Sequence, residues 1–127
     1  MSAHRVLIVD DDRDTREMYR VVLEASGYCV LEADSGASAL DAASRGPSAV
    51  VTDIRMPGPV SADHVCRYFH DRGVPVIALT GLPHQSEDVQ LVHEHCARVF
   101  IKPVLPTTLL QELIELIGGG QRVDDFH

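Results

Sequence analysis

Residues Val6–Asp12 read VLIVDDD, four apolar residues that run directly into three carboxylates. Three of the four apolar residues are β-branched, and an apolar run without alternation is typical of a strand buried on both faces of a parallel sheet. Carboxylates crowded at the end of such a strand repel one another unless they stay solvated or meet a cation. The stretch therefore predicts a covered sheet with a cation site where this strand ends.

The composition indicates an ordinary globular domain, with 127 residues, 45% apolar and 24% charged. The formal net charge of −8 argues against nucleic acid or an anionic membrane as a direct partner, because both bind basic surfaces. The three cysteines have no metal-like spacing, which favours free thiols in a reducing cytoplasm. No signal peptide and no apolar run of membrane-spanning length is evident. We therefore expect a cytoplasmic protein.

Strand and helix patterns alternate five times along the chain. The predicted strands are Val6–Val9, Cys29–Leu31, Ala49–Thr52, Val74–Leu79 and Val99–Ile101. The predicted helices span about 14–26, run from a cap at Ser35 to Gly46, span about 62–71, begin near Ser86, and span about 106–117. This order predicts an α/β fold with right-handed crossovers. We expect one domain over residues 4–117, and a flexible tail or truncated linker over 118–127.

Polar residues follow four of the predicted strands. The acidic stretch 10–12 follows the first, and Asp53, Thr80 and Lys102 end the third, fourth and fifth. Ligands of open parallel sheets bind at this edge. Clustered carboxylates suit Mg²⁺, with Mn²⁺ as an alternative, while an ammonium and a hydroxyl can hold phosphoryl oxygens. One carboxylate can then act as the nucleophile, which predicts metal-assisted phosphoryl transfer onto an aspartate.

Four motifs at these strand ends carry a family resemblance: VLIVDDD, VVTDIRMPG, VIALTG and VFIKPV. Over Val6–Ile117 the chain resembles a response-regulator receiver domain of two-component signalling. The resemblance implies a doubly wound, flavodoxin-like (βα)5 fold whose five parallel strands take the order 2-1-3-4-5. It also implies a signalling receiver rather than an enzyme, with only self-directed phosphotransfer and autodephosphorylation. The implied partners are a sensor histidine kinase or histidine phosphotransfer protein and a downstream protein target.

The resemblance assigns the metal and phosphoacceptor residues. Asp53 matches the phosphoacceptor and also contributes to the metal site. Asp11 matches the direct Mg²⁺ ligand, and Asp10 matches its partner, which acts through water. The backbone carbonyl of Arg55 matches the third protein ligand. Asp12 is surplus to this pair, so we expect it to serve the N-terminus of the first helix.

The resemblance also assigns the groups that hold and report the phosphoryl group. Thr80 matches the switch hydroxyl, and Lys102 matches the lysine that pairs with the phosphate. The bond from Lys102 to Pro103 is expected to be cis. Arg55 and Leu82 flank the pocket and are expected to tune the lifetime of the phosphate.

Two positions depart from the family pattern. Val99 stands where the family usually has the aromatic residue of the switch, and its neighbour Phe100 should point to the opposite face of the strand. Ser61 stands where a glycine is usual in the loop before the third helix. Both departures concern readout of the phosphorylated state, since neither removes a catalytic group.

The fourth and fifth helices with the fifth strand are expected to form an output face, and a homodimer through this face is one expectation. The reason is that the fifth helix carries more apolar residues than one buried face requires. The residues assigned to this face are Leu109, Leu113 and Ile117.

Other functions have weaker support in the sequence. A degenerate receiver that serves as an unphosphorylated docking module is disfavoured, because every pocket residue is present. A haloacid-dehalogenase-like phosphohydrolase matches Asp10-x-Asp12, but the further acidic pair it needs is represented only by Asp124 and Asp125 in a Gly-rich tail. A zinc site at His93 and Cys96 lacks the four ligands of a structural site.

Overall fold

The computed structural model describes residues 4–56, 58–81 and 94–120, and it confirms the predicted parallel sheet with strand order β2-β1-β3-β4-β5. Each strand lies within two residues of its predicted bounds. The strands are β1 (Arg5–Val9), β2 (Cys29–Ala33), β3 (Ala49–Asp53), β4 (Val76–Thr80) and β5 (Arg98–Ile101). All neighbouring strands pair in parallel. In this order β1, β3 and β4 each have a strand on either side.

The helices lie on both faces of the sheet. They are α1 (Arg13–Ala25), α2 (Gly36–Asp41), α3 (Ala62–Asp71) and a C-terminal helix (Pro106–Ile117). The predicted second helix is capped by Ser35 as expected, but its last turn is a 3₁₀ turn, Ala42–Arg45. The predicted fourth helix, near Ser86, lies outside the described residues.

Two apolar layers enclose the sheet. One, which includes Leu7, Val50 and Phe69, lies under α2 and α3, and the other, which includes Ile8 and Leu23, lies under α1 and the C-terminal helix. The expectation of strands buried on both faces holds for β1, β3 and β4. The edge strands β2 and β5 are only partly buried, because each has a neighbour on one side alone.

The predicted output face on the C-terminal helix is wrong for two of its three residues. Leu109 and Leu113 are fully buried at 0% exposure, and Ile117 is half-buried against the same core. The many apolar residues of this helix cover the sheet, and its polar residues Gln111 and Glu115 face solvent. No helix in the described ranges is both long and apolar enough to cross a membrane.

Candidate functional site

The carboxyl edge of the sheet brings together the residues predicted for the site. Asp10 follows β1, Asp53 is the last residue of β3, and Thr80 is the buried last residue of β4. The backbone N–H of Lys102 donates to the carbonyl of Thr80 at 2.7 Å, which extends the β4–β5 pairing by one residue. The Lys102–Pro103 bond is cis, as expected.

Three carboxylates converge at this edge. One oxygen from each of Asp10, Asp11 and Asp53 lies within 4.8 Å of the other two. Asp10 is buried, Asp53 is partly buried and Asp11 is exposed, so the cluster is open to solvent on one side. Such an arrangement of hard oxygen donors can hold a divalent cation that retains some of its waters.

Lys102 supplies the positive charge of the site. Its Nζ donates to Asp53 Oδ2 at 2.9 Å and to Asp10 Oδ2 at 3.4 Å. Burial alone would lower the pKa of Lys102, but the hydrogen bond to Asp53 and the charges of Asp53 and Asp10 raise it above its usual value. The ammonium therefore stays charged over the physiological range.

Asp10 is the most deeply placed of the three acids. Burial raises its pKa, although the N–H of Asp12, which donates to Oδ1 at 2.9 Å, and the charge of Lys102 act in the opposite direction. The Asp10 carboxylate is thus incompletely stabilised by its protein partners, and a further cation would favour its ionised form.

Both oxygens of Asp53 have protein partners. The N–H of Arg55 donates to Oδ1 at 3.2 Å, while Oδ2 accepts from Lys102. The Thr52 hydroxyl donates to the Asp53 carbonyl at 3.0 Å and helps to hold the turn that follows β3. The Asp53 side chain is 14% exposed, so it is oriented by its neighbours yet accessible from solvent. The Arg55 side chain is exposed at the rim.

Some predicted residues do not join the cluster. Asp12 caps α1, where its side chain accepts from the N–H of Asp14 and from the Thr15 hydroxyl. This agrees with the expected helix role and leaves Asp12 outside the acidic triad. Leu82, which is expected to tune the pocket, lies outside the described residues, as do His93 of the disfavoured zinc site and Asp124 and Asp125 of the disfavoured phosphohydrolase alternative.

Two residues of α1 that sequence reasoning missed also support the site. Arg16 donates from Nη1 to the carbonyl of Asp10 at 2.6 Å, and the buried Tyr19 hydroxyl donates to the carbonyl of Val104 at 2.9 Å. These contacts anchor the segments after β1 and β5. The only sequence signal is that both residues lie within two turns of the acidic stretch, on the helix that it starts.

The two departures from the family pattern have clear structural outcomes. Val99 packs on the α2 and α3 face, whereas Phe100 packs on the opposite face, so Phe100 does not replace the missing aromatic side chain. Ser61 caps α3, where its hydroxyl oxygen accepts from the N–H of His64 at 3.1 Å.

The loop after β3 also meets the start of α2 at close range. A Cβ on Gly36 would overlap the carbonyl oxygen of Val60 and would lie 2.9 Å from its Cβ. Only a glycine allows the first residue of α2 to approach the loop this closely.

Comparison with known proteins agrees with this geometry. A family model for the response regulator receiver domain matches residues 6–114. The chain is 36% identical over 124 residues to the response regulator MprA of Mycobacterium avium, a match that covers 95% of this chain but 54% of that protein. It is 29% identical over 120 residues to the polar-differentiation response regulator DivK of Brucella ovis, covering 91% of this chain and 97% of DivK.

A solved structure shows the same architecture. A CheY-like receiver domain from Methanospirillum hungatei superposes with a TM-score of 0.81 at 26% identity, over 90% of this chain and 93% of that one. The chain spans about half the length of the MprA relatives it matches. Its four strand-end motifs, its sheet order and this family match agree: the chain belongs to the response-regulator receiver domain family of two-component systems.

Proposed function

We propose that this receiver is phosphorylated on Asp53, which accepts a phosphoryl group from a phosphohistidine donor with the help of Mg²⁺. The observation that carries the proposal is the convergence of Asp10, Asp11 and Lys102 on Asp53. An acceptor carboxylate needs positive charge around it when an anionic phosphoryl group approaches, and this site can assemble that charge.

The donor set suits Mg²⁺ because its ligands are hard carboxylate oxygens on an edge open to water. We propose that Asp11 and Asp53 contact the ion directly, that Asp10 acts through water, and that the carbonyl of Arg55 completes the protein ligands. Mn²⁺ would fit the same donors. When bound, the ion neutralises charge on the carboxylates and on the incoming phosphoryl oxygens.

Asp53 then acts as the nucleophile. One of its carboxylate oxygens attacks phosphorus, the P–N bond of the donor breaks, and the bonding electrons return to the imidazole. Lys102 already donates to Oδ2 of Asp53, so a short side-chain movement brings its ammonium to a phosphoryl oxygen. Its raised pKa keeps this donor charged throughout. We assign Thr80, at the neighbouring strand end, to the remaining phosphoryl oxygen.

The donor in this proposal is a sensor histidine kinase or a histidine phosphotransfer protein in the cytoplasm. The consequence of phosphorylation is altered contact with a downstream protein or a second receiver, not turnover of another substrate. With Leu109 and Leu113 in the core, any such contact uses residues other than these two.

The test is intact mass after incubation with acetyl phosphate. Wild type with Mg²⁺ should gain the mass of one phosphoryl group, and omission of Mg²⁺ should prevent this gain. Asp53→Ala should gain nothing. The matched control is Asp41→Ala, which removes an exposed carboxylate at the end of α2 and should label like wild type.

If wild type shows no adduct, either the phosphate is hydrolysed rapidly or Asp53 is not phosphorylated. Beryllofluoride, which forms a stable mimic of the acyl phosphate, separates them. Binding of beryllofluoride would indicate rapid hydrolysis of the phosphate, whereas failure to bind would contradict the proposal and favour an unphosphorylated docking module.

A further inference from the structure

Two of the three cysteines meet at the amino-end side of the sheet, away from the acidic cluster. Cys66 lies in α3 and is fully buried, and Cys96 lies two residues before β5 and is partly buried. Their sulfurs are 3.5 Å apart. A disulfide needs about 2.0 Å, so closure requires an approach of roughly 1.5 Å. Cys29 is exposed on β2 and is not part of this pair.

In the part of the chain that the structure describes, Cys96 borders a surface cavity and Cys66 does not. A surface cavity of about 430 Å³ is lined by Cys96 together with His70, Glu94 and His95, whereas Cys66 does not line it. Nδ1 of His95, whose residue also lines the cavity, is buried and has no hydrogen-bond partner among the described residues. A small oxidant in this cavity therefore reaches Cys96 first.

We propose that Cys66 and Cys96 form an oxidation-sensitive dithiol, in which a hydroperoxide oxidises Cys96 and Cys66 then closes a disulfide. The sulfur contact and the burial of Cys66 also raise the pKa of the Cys66 thiol, which keeps it protonated and unreactive toward the first oxidant. The division of roles follows from access, because Cys96 lines the cavity and Cys66 is fully buried.

The two steps balance with hydrogen peroxide as the oxidant. The Cys96 thiolate attacks one peroxide oxygen, the O–O bond breaks, and hydroxide leaves and takes up a proton as water. The sulfur is oxidised to a sulfenic acid as the peroxide is reduced. The Cys66 sulfur then attacks the Cys96 sulfur, the S–O bond breaks, and the hydroxyl leaves as water with the Cys66 proton.

A metal site for these thiols has less support. Within the described ranges, three or more potential ligand atoms converge only at Asp10, Asp11 and Asp53. The rings of His70 and His95 lie near each other, with centroids 5.2 Å apart, but their nitrogens do not join the two sulfurs in such a cluster. A tetrahedral zinc ion would need four.

The bond would connect α3 to the start of β5. Residues 67–95 lie within the closed loop, and these include all of β4 and the connection from Thr80 toward β5. Because closing this loop restricts the unfolded chain, we expect the oxidised protein to melt at a higher temperature than the reduced protein.

The experiment uses a Cys29→Ser background, which removes the exposed thiol and prevents links between molecules. After hydrogen peroxide and an iodoacetamide chase, the chain should lose two hydrogens, carry no label, and yield one Cys66–Cys96 cross-linked peptide. Dithiothreitol should restore two labelled thiols. With dimedone present, Cys66→Ser should give one adduct on Cys96, while Cys96→Ser should keep Cys66 reduced.

Because Cys66 is in the core, Cys66→Ala serves as a second variant, and thermal unfolding of each reduced variant shows whether it is folded. Two free thiols that persist under peroxide would overturn the proposal. Equal oxidation of Cys66 in Cys96→Ser would also overturn it, since the cavity would then not direct the chemistry. So would one tightly bound Zn²⁺ per reduced chain that shields both thiols from iodoacetamide.

Discussion

Lys102 Nζ lies 2.9 Å from Asp53 Oδ2, and Lys102 is the only lysine in the chain. The pair links the ends of β5 and β3, two strands that are separated in the sheet by β4 and its terminal Thr80. The Lys102 side chain therefore reports on the Asp53 carboxylate, and no other lysine contributes to its signal.

The first prediction uses this single lysine. Reductive methylation with ¹³C-formaldehyde should give one lysine NMR signal, and its titration midpoint should fall in Asp53→Asn, because the partner that most raises the Lys102 pKa is lost. A pKa raised by folding stabilises the protein fully below the unfolded value of 10.5, and this stabilisation is lost as pH rises through the folded pKa. The contribution of the Lys102–Asp53 pair to the free energy of unfolding should therefore be constant between about pH 6 and about pH 9.

Asp41→Asn is the matched control for that titration, since Asp41 is exposed on α2. Its midpoint should equal that of wild type. Equal midpoints in wild type and Asp53→Asn would mean that the ammonium does not pair with Asp53 in solution.

The second prediction concerns Asp10→Asn. Burial raises the pKa of Asp10, so its contribution to stability is present below pH 3.8 and is lost as pH rises through the folded pKa. At pH 7 without metal the ionised carboxylate therefore opposes folding, and Asn should raise the free energy of unfolding. In Mg²⁺ the order should reverse, because wild type gains more from the bound ion.

Urea unfolding in EDTA and in Mg²⁺ measures both halves of this prediction, with Asp41→Asn as the charge-matched control. Destabilisation by Asp10→Asn in EDTA would show that its hydrogen bond to the Asp12 N–H outweighs the cost of burying the charge. Equal stabilisation of both proteins by Mg²⁺ would contradict a role for Asp10 at the metal.

The third prediction concerns the cap of α3. Ser61→Ala should lower the free energy of unfolding by about 1 kcal/mol, whereas Ser61→Gly should cost only a few tenths, because glycine tolerates the cap conformation and lets water reach the free N–H groups. Chemical denaturation of the two variants measures the difference. Equal losses for Ala and Gly would indicate that the Ser61 hydroxyl does not cap the helix.

The fourth prediction separates core from surface around the C-terminal helix. Leu113→Ala should cost about 3 kcal/mol through the lost apolar contacts and the cavity it leaves. Leu105→Ala makes the same change at a position that is 67% exposed and should stay within about 0.5 kcal/mol of wild type. Similar unfolding energies for the two variants would return Leu113 to the surface role first expected of it.

The sequence predicts which residues meet at the sheet edge because each lies at the end of a largely apolar run. Asp10, Asp53 and Lys102 each lie at a strand end, and parallel strands place such ends on one edge. The errors arise where tertiary packing decides. No local pattern reveals that Leu109 and Leu113 are buried against the sheet, or that the Tyr19 hydroxyl bonds to the segment after Lys102.

The contact between Gly36 and Val60 gives the two sides of the sheet edge around Asp53 different room to move. On the β2–β3 flank, the start of α2 and the loop after Asp53 approach so closely that no side chain fits at Gly36, which leaves this wall little room to yield. On the β5 side, the strand and its Val99 side chain are only partly buried. A change of charge at Asp53 should therefore displace β5 more than α2.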